Sequence, residues 1–318
     1  MRKILITGAL GQIGSELTTE LRKIYGANNV IASSRRVKEG HEKLIESGPF
    51  EILNINDAKG ISEVVRKHDV NTIINLAAIL SAVGEQHPEQ CWDINMNGLY
   101  NILEVAREES CMVYTPSSIA AFGPSTPKDK TPQDTIQRPN TMYGVTKVAG
   151  ELLCDYYYKK FGVDTRGVRF PGLISYETLP GGGTTDYAVH IYYDALKNKR
   201  YTSFIDKGTK MDMMYMPDAL DAIIQLMEAD SSKLIHRNAF NVSAMSFDPE
   251  EIAASIKKVI PEFEIDYEVD PVRQSIADSW PNSLDDTAAR EEWGWNPKYD
   301  LDSMTKDMLE KLKIKLGL

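Results

Sequence analysis

Residues 7–14, Thr-Gly-Ala-Leu-Gly-Gln-Ile-Gly, stand between the apolar run Ile4–Thr7 and the first stretch of helical period. A chain that passes from a buried strand into a helix through bare glycines can bring backbone N–H groups against a pyrophosphate at the positive helix end. Gly8, Gly11 and Gly14 therefore point to a bound dinucleotide, with Gln12 and Ile13 in the same turn. The spacing is GxxGxxG rather than GxGxxG, and three glycines alone are a weak signal. Their place between strand and helix carries the reading.

The rhythm that follows agrees with such a turn. Short apolar runs at 4–7, 30–33, 72–76 and 112–115 read as buried parallel strands, and 15–25, 58–67, 89–108 and 143–161 carry helical periods. A further strand is expected at 165–170, which completes an α/β pattern: a Rossmann-type doubly wound parallel sheet. After Pro171 the rhythm changes, because Pro180, Gly181, Gly182, Gly183 and two threonines make an irregular loop. Residues 216–227 read as a helix, 239–242 as a strand that rejoins the first sheet, and 249–259 as a helix with Pro249 behind a capping Asp248. The expected division is a dinucleotide-binding domain over 1–172, rejoined by about 213–245, and a smaller mixed α+β lobe from 173–212 and 246–318.

Composition excludes several classes. The chain has 318 residues, a formal net charge of -10 and a sequence pI near 5.1, with Lys and Arg scattered, so a nucleic-acid partner is not expected. Cys91, Cys111 and Cys154 are widely spaced and outside any CxxC or Cys/His pattern, which reads as reduced core residues with no zinc site and no disulfide framework. No apolar run reaches the ~18 residues of a membrane span. A strand begins directly after Met1, leaving no room for a signal peptide, and cytoplasm is the expected compartment.

In dinucleotide folds an acidic residue about 20 positions after the glycines usually takes the adenosine ribose hydroxyls. Here the second strand ends Ser33-Ser34-Arg35-Arg36, with no carboxylate. Ser34 suits either form of the ribose and the arginines suit a 2′-phosphate, so NAD and NADP both stay open. Asn54 and Ile55 after the third strand, and Leu76, Ala77 and Ala78 after the fourth, would line the adenine and ribose sides.

Oxidising a secondary alcohol needs a base, and a tyrosine with an ordinary pKa near 10 serves only where positive charge lowers it. Tyr143 and Lys147 are four apart at the start of a helix and share a face. The same spacing recurs at Tyr156/Lys160 and Tyr193/Lys197, which read as surface helix. Only the first pair follows 115–123, a serine-containing strand-to-loop transition at the ligand end of an α/β sheet. Ser118 is the candidate substrate-positioning hydroxyl, with Ser117 as the alternative.

The glycine spacing, Asn75-Leu76-Ala77-Ala78, the Ser118/Tyr143/Lys147 set and Phe170-Pro171-Gly172 together resemble the extended short-chain dehydrogenase/reductase superfamily, along the whole chain. Residues 80–85, 180–189, 241–247 and Ser279-Trp280-Pro281 narrow the resemblance to its L-threonine 3-dehydrogenase family. That resemblance implies metal-free, NAD-dependent oxidation of the L-threonine β-hydroxyl to 2-amino-3-oxobutyrate, with Ser118, Tyr143 and Lys147 catalytic. It also implies that Asn95 and Phe170 join the cofactor residues and that the chain is a homodimer paired through 89–108 and 143–161. Ser34 departs from the family's aspartate and leaves the NAD preference open.

A threonine zwitterion needs a carboxylate for its ammonium and donors for its α-carboxylate. Asp186 offers the first and Thr184, Thr185 and glycine N–H groups the second, which makes the smaller lobe substrate-binding. Ser81 and Ser118 would face the reacting hydroxyl and Trp280 would close over the methyl group. A capping role before a helix is the plainer reading of Asp186. The rival function, a sugar-nucleotide epimerase or dehydratase, would need diphosphate-binding arginines, for which Arg169 and Arg200 stand available.

Overall fold

The computed structural model describes residues 2–37, 39–179 and 183–318, and these divide into two compact units. The first comprises Met1–Ala121, Thr141–Arg169 and Ala222–Phe240, and the second Phe122–Asn140, Phe170–Asp221 and Asn241–Leu318.

In the first unit, strands β1 (Ile4–Thr7), β2 (Val30–Ser34), β3 (Phe50–Ile52), β4 (Thr72–Asn75), β5 (Met112–Tyr114) and β6 (Thr165–Arg166) form one sheet in the order β3-β2-β1-β4-β5-β6, parallel at every pairing. Every residue of β1 and β4 is buried, as expected for strands covered on both faces. The chain order reverses between β1 and β4, where Thr7 pairs with Ser33 on one side and Asn75 on the other. Crevices at the carboxyl ends of strands beside such a reversal are where open α/β sheets bind ligands.

Helices α1 (Gln12–Tyr25), α2 (Ala58–Lys67), α3 (Gly98–Glu109) and α4 (Met142–Phe161) supply the other layers. Asp57 caps α2 by accepting from Gly60 N at 3.0 Å, and Thr141 caps α4 by accepting from Gly144 N at 3.1 Å. Leu5, Ile31, Ile73 and Val113 from the sheet pack with Ile61 and Val65 of α2, Ile102 and Leu103 of α3, and Cys154 and Tyr157 of α4 in one core. The three cysteines are free and buried, and burial pushes the Cys111 thiol up to about 11. They are too inert for redox chemistry. No helix among the described residues is long and apolar enough to cross a membrane.

Three elements depart from the sequence reading. The helical stretch expected over 89–108 is a short helix Pro88–Trp92, a π-helical turn Asp93–Asn97 and then α3. The strand expected over 165–170 breaks at Gly167, where a Cβ would lie 2.4 Å from Thr115 O. Residues 239–242 do not rejoin the six-stranded sheet; only Phe240–Asn241 is extended, with Phe240 N bonded to Gly167 O at 3.0 Å.

In the second unit, β7 (Gly172–Ile174), β9 (Met211–Tyr215) and β10 (Met245–Phe247) form a mixed sheet, and β8 (Arg200–Ser203) pairs in parallel with β11 (Glu264–Tyr267). Helices α5 (Tyr187–Lys197), α6 (Pro249–Lys257), α7 (Pro271–Ser279) and α8 (Leu301–Leu316) accompany them. The start of α6 is as expected: Asp248 accepts from Glu250 N and Glu251 N at 2.9 Å and Glu251 returns a bond to Asp248 N, with Pro249 in the first turn.

One buried carboxylate ties three segments of this unit together. Asp212 in β9 is fully buried, and its Oδ2 accepts from Ser243 Oγ and from Leu284 N, each at 2.7 Å. Desolvation outweighs these bonds, with the charge of Asp286 adding to it, and the carboxyl is pushed up to about 7. In the unfolded chain an aspartate ionises near pH 4. Between about pH 4 and 7 the folded state therefore holds a proton that the unfolded state lacks, and stability falls as pH rises through that window. Urea unfolding is expected to show the parent losing stability relative to Asp212→Asn from about pH 5 to 7, with the difference level above that. A pH-independent difference would mean that Asp212 is ionised throughout.

Candidate active site

The glycine turn is pressed onto the end of β4. Gly8 has φ of 69°, and a Cβ there would lie 2.8 Å from Leu76 C and Ala77 N. At Gly14 a Cβ would lie 2.3 Å from Gly8 O, so any side chain at either position forces the turn apart. Ala9 N bonds to Ser33 O at 3.0 Å and Leu76 N to Thr7 O at 3.1 Å, which fixes the turn against both neighbouring strands. Gly11 begins α1 with extended backbone and no side-chain cap, and the first turn of α1 carries no acidic residue. The Gln12 side-chain amide nitrogen is buried without a partner. An uncapped helix start beside a close-packed glycine turn, with an orphan amide in it, fits a pyrophosphate.

The other residues assigned to the cofactor fall at the edges of the same sheet. Ser34 closes β2 half-buried, followed by exposed Arg35, and Asn54 is exposed after β3. The Ile55 side chain lies in the core, against Gly98, and its carbonyl accepts from Asn101 Nδ2 at 3.0 Å, so that no side-chain surface of it faces a ligand; the strand-end reading did not anticipate this. Leu76, Ala77, Ala78 and Asn95 line a cleft that Lys147 and Glu151 also line.

Lys147 donates to Pro116 O at 2.8 Å, and its Nζ lies 5.3 Å from the centre of the Tyr143 ring. Tyr143 is buried, whereas Tyr156 of the second Tyr/Lys pair is 52 % exposed. Asn95, in the π-helical turn, accepts from Ile79 N at 2.8 Å and donates to Ile79 O at 3.1 Å and to Thr146 Oγ1 at 3.1 Å. Ser81 is buried at the start of a short helix, Ser81–Gln86, that packs on α4, where Glu85 accepts from Met142 N at 2.6 Å. Asn95, Ser81, Tyr143 and Lys147 thus sit on or against α4, and so does the Ser117–Ser118 strand.

The two serines of that strand differ sharply. Ser117 is buried and its hydroxyl donates to Glu151, whose carboxylate also takes Arg169 Nε at 3.1 Å and Nη2 at 2.8 Å. Ser118 is half-buried and accepts from Ala120 N at 3.2 Å. Glu151 was not singled out by sequence reasoning; its only signal is a place one helical turn after Lys147. Arg169 is buried in this pair, which leaves it no freedom to meet a diphosphate, whereas Arg200 is exposed and shares a surface ion pair with Asp266 at 2.5 Å.

The remaining residues belong to the second unit. Phe170 is buried at the start of one of its segments. Pro180, Gly181 and Gly182 lie outside the described residues. Thr184–Asp186 forms a tight turn before α5 in which Asp186 accepts from Gly183 N at 2.6 Å; the carboxylate bonds back into the turn and makes no side-chain cap on α5, so the plain capping reading of this residue does not hold. The Thr185 methyl group faces Gly172, and α7 packs against the turn. Thr184 is 2 % exposed and Trp280, directly after α7, is 7 % exposed; both the Thr184 hydroxyl and the Trp280 indole N–H are buried without a hydrogen-bond partner. Leaving such a group unmet costs about 1–3 kcal/mol. Two of them near one turn mark a place where a ligand with acceptor oxygens would repay binding. No cluster of metal-binding side chains occurs among the described residues.

Residues 4–243 match the NAD dependent epimerase/dehydratase family, and the chain belongs to it, as an enzyme whose fold carries a nicotinamide dinucleotide site. Among solved structures, L-threonine dehydrogenase from Clostridium difficile is similar at 70% identity, covering 99% of this chain and 98% of that one, with a TM-score of 0.98. L-threonine 3-dehydrogenase from Trypanosoma brucei is similar at 42% identity over 100% and 99% of the two chains, with a TM-score of 0.96. An uncharacterized epimerase/dehydratase of Staphylococcus aureus (strain USA300) is 59% identical over 315 residues, 99% of this chain and 98% of its own.

Glu151→Ala would strand the buried Arg169 charge and is expected to lower the unfolding free energy by about 3–5 kcal/mol. Ser118→Ala removes one bond to a backbone N–H and is expected to cost about 1 kcal/mol or less. Chemical denaturation of the two variants checks this contrast; equal losses would mean that Ser117, Glu151 and Arg169 are not the structural pin of the strand.

Proposed function

We propose that the protein oxidises the β-hydroxyl of L-threonine to 2-amino-3-oxobutyrate, with Tyr143 as the base. The observation that carries the reading is the ammonium of Lys147, held by Pro116 O at 2.8 Å and 5.3 Å from the Tyr143 ring, in a cleft bordered by the residues that meet the glycine turn. A fixed cation beside a phenol stabilises the negative charge that develops as a proton moves. The dinucleotide, when bound, supplies the hydride acceptor.

Each group then has a task. The glycine turn and the start of α1, with Gln12 and Ile13, hold the pyrophosphate; Ser34, Arg35, Asn54 and the Ile55 backbone border the adenosine end; Leu76, Ala77, Ala78, Asn95 and Phe170 border the nicotinamide ribose and ring. Ser81 and Ser118 orient the reacting hydroxyl and Tyr143 takes its proton, while Ser117 is left to its bond with Glu151. Thr184 and Trp280 offer unmet donors to the α-carboxylate, supported by Thr185, and Asp186 offers charge to the ammonium. The orphan indole N–H favours a donor role for Trp280 over closure on the methyl group. The L-threonine dehydrogenases of Clostridium difficile and Trypanosoma brucei, similar along the whole chain, support the same substrate. Engagement of Arg169 in its buried ion pair with Glu151 favours an amino acid over a nucleotide diphosphate.

We also propose a homodimer paired through α3 and α4. Tyr100, Leu152 and Tyr156 on these helices are 50 %, 63 % and 52 % exposed, a cluster of large apolar surface that a second copy would cover. Sedimentation equilibrium showing only a monomer at micromolar concentration would reject this part.

Reduced-nicotinamide absorbance tests the reaction. With L-threonine, Tyr143→Phe is expected to lose roughly 10²–10⁴-fold in kcat, and Tyr156→Phe to match the parent; turnover of Tyr143→Phe within a few-fold of the parent would remove it from the base role. Trp280→Phe keeps an aromatic side chain but loses the N–H with the five-membered ring that carries it, and is expected to raise KM for threonine by about tenfold with kcat changed less. An unchanged KM would return Trp280 to simple packing.

A further inference from the structure

We propose that the adenosine end of this site also takes a 2′-phosphate, through Ser34, Arg35 and Arg36, so that the enzyme uses NADP as well as NAD. The inference rests on the dinucleotide reading of the glycine turn and deepens it.

The geometry begins with β2. Its pairing with β1 sets Ser33 opposite Thr7, and the bond from Ala9 N to Ser33 O locks the glycine turn beside the end of the strand. Ser34 is the next residue, and its backbone is held in turn by Leu53 N, which donates to Ser34 O at 2.9 Å. The residue at this edge is the one that meets the ribose hydroxyls in a doubly wound dinucleotide site. A carboxylate there accepts both hydroxyls of an unphosphorylated ribose and repels a phosphate. This chain has a hydroxyl in its place, and no acidic side chain until Glu39.

The charges that follow have the opposite sign. Arg35 and Arg36 are exposed, and neither forms an ion pair among the described residues. Glu42, which opens the short helix Glu42–Glu46, accepts from Gly40 N at 3.0 Å rather than from either arginine. Elsewhere in this acidic chain buried arginines are spent on structure: Arg22 on Leu44 O and Pro49 O, Arg166 on Leu226 O and Asp164, Arg169 on Glu151. Arg35 and Arg36 thus place two adjacent guanidiniums, without an ion pair among the described residues, at the ribose edge. Guanidinium presents paired N–H donors that match phosphate oxygens, and a phosphate there would gain charge-assisted bonds with little rearrangement of the strand.

Calorimetric titration of the whole protein with 5′-AMP and with 2′,5′-ADP reads the 2′-phosphate directly, without catalysis. The expected result is tighter binding of 2′,5′-ADP than of 5′-AMP by about fivefold or more, a gain that weakens with salt and disappears in the Arg35→Ala/Arg36→Ala double variant, where the ratio of the two affinities falls to about one. Ser34→Asp is expected to reverse the preference. A smaller gain than fivefold, or a gain that survives in the double variant, would overturn the proposal while 5′-AMP binding still upholds the dinucleotide site. Binding of neither nucleotide would overturn both. In the parallel assay NADP is expected to support threonine oxidation with kcat/KM within about tenfold of NAD, and no measurable turnover with NADP would reject its use as a cofactor.

Discussion

Two backbones approach each other at Gly8 more closely than any side chain allows. The carbonyl carbon of Leu76 and the nitrogen of Ala77 occupy the space a Cβ would take, and Gly14 repeats the constraint one turn into α1. That approach makes β1, β4 and the start of α1 a single rigid corner at the reversal of strand order. The cleft residues Leu76, Ala77 and Ala78 inherit their position from it. A close contact between bare backbones thus sets where a ligand's charged middle and its reactive end can lie.

The opposite side of the cleft is organised by charge. Glu151 joins Ser117 and Arg169 in the interior, and Pro116, directly before Ser117, is held by that junction. Since Pro116 O receives the Lys147 ammonium, the buried ion pair acts on the candidate base at second hand, through the placement of one carbonyl group. Such a pair adds little net stability compared with apolar packing of equal volume, but once built it cannot lose one partner cheaply.

Much of this was legible before any coordinates. The parallel sheet followed from apolar runs separated by helical periods, and the glycine turn announced its place between strand and helix. What stayed hidden depends on where a residue's partners come from. Nothing local distinguishes Glu151 from other helix carboxylates, because its meaning comes from Ser117 and Arg169, distant in sequence. Ile55 sits at a strand end, where ligands are expected, but Gly98 opens a hole in α3 that its side chain fills. The hydrogen bonds missing at Thr184 and Trp280 are invisible in a string of letters, since an unmet donor exists only once its surroundings are known. Serine repetition at 117–118 left Ser117 as an alternative to Ser118, because the bond of Ser117 to Glu151 cannot be read from the letters.

The π-helical turn at Asp93–Asn97 has a consequence for chain length. The buried residues of this segment, Cys91, Met96, Leu99, Leu103 and Ala106, keep one face inward only because an extra residue is absorbed between Cys91 and Met96. The same swelling turns Asn95 out of helical phase and toward the backbone of Ile79, which it grips at both N–H and C=O. Removing one residue would restore a regular α-helix in which Cys91 and Met96 still share a face, but would swing Asn95 off the Ile79 backbone by about 100°. The stretch is thus metrically constrained: substitutions alter its chemistry, whereas the residue count between Cys91 and Leu99 is held by the grip of Asn95 on Ile79.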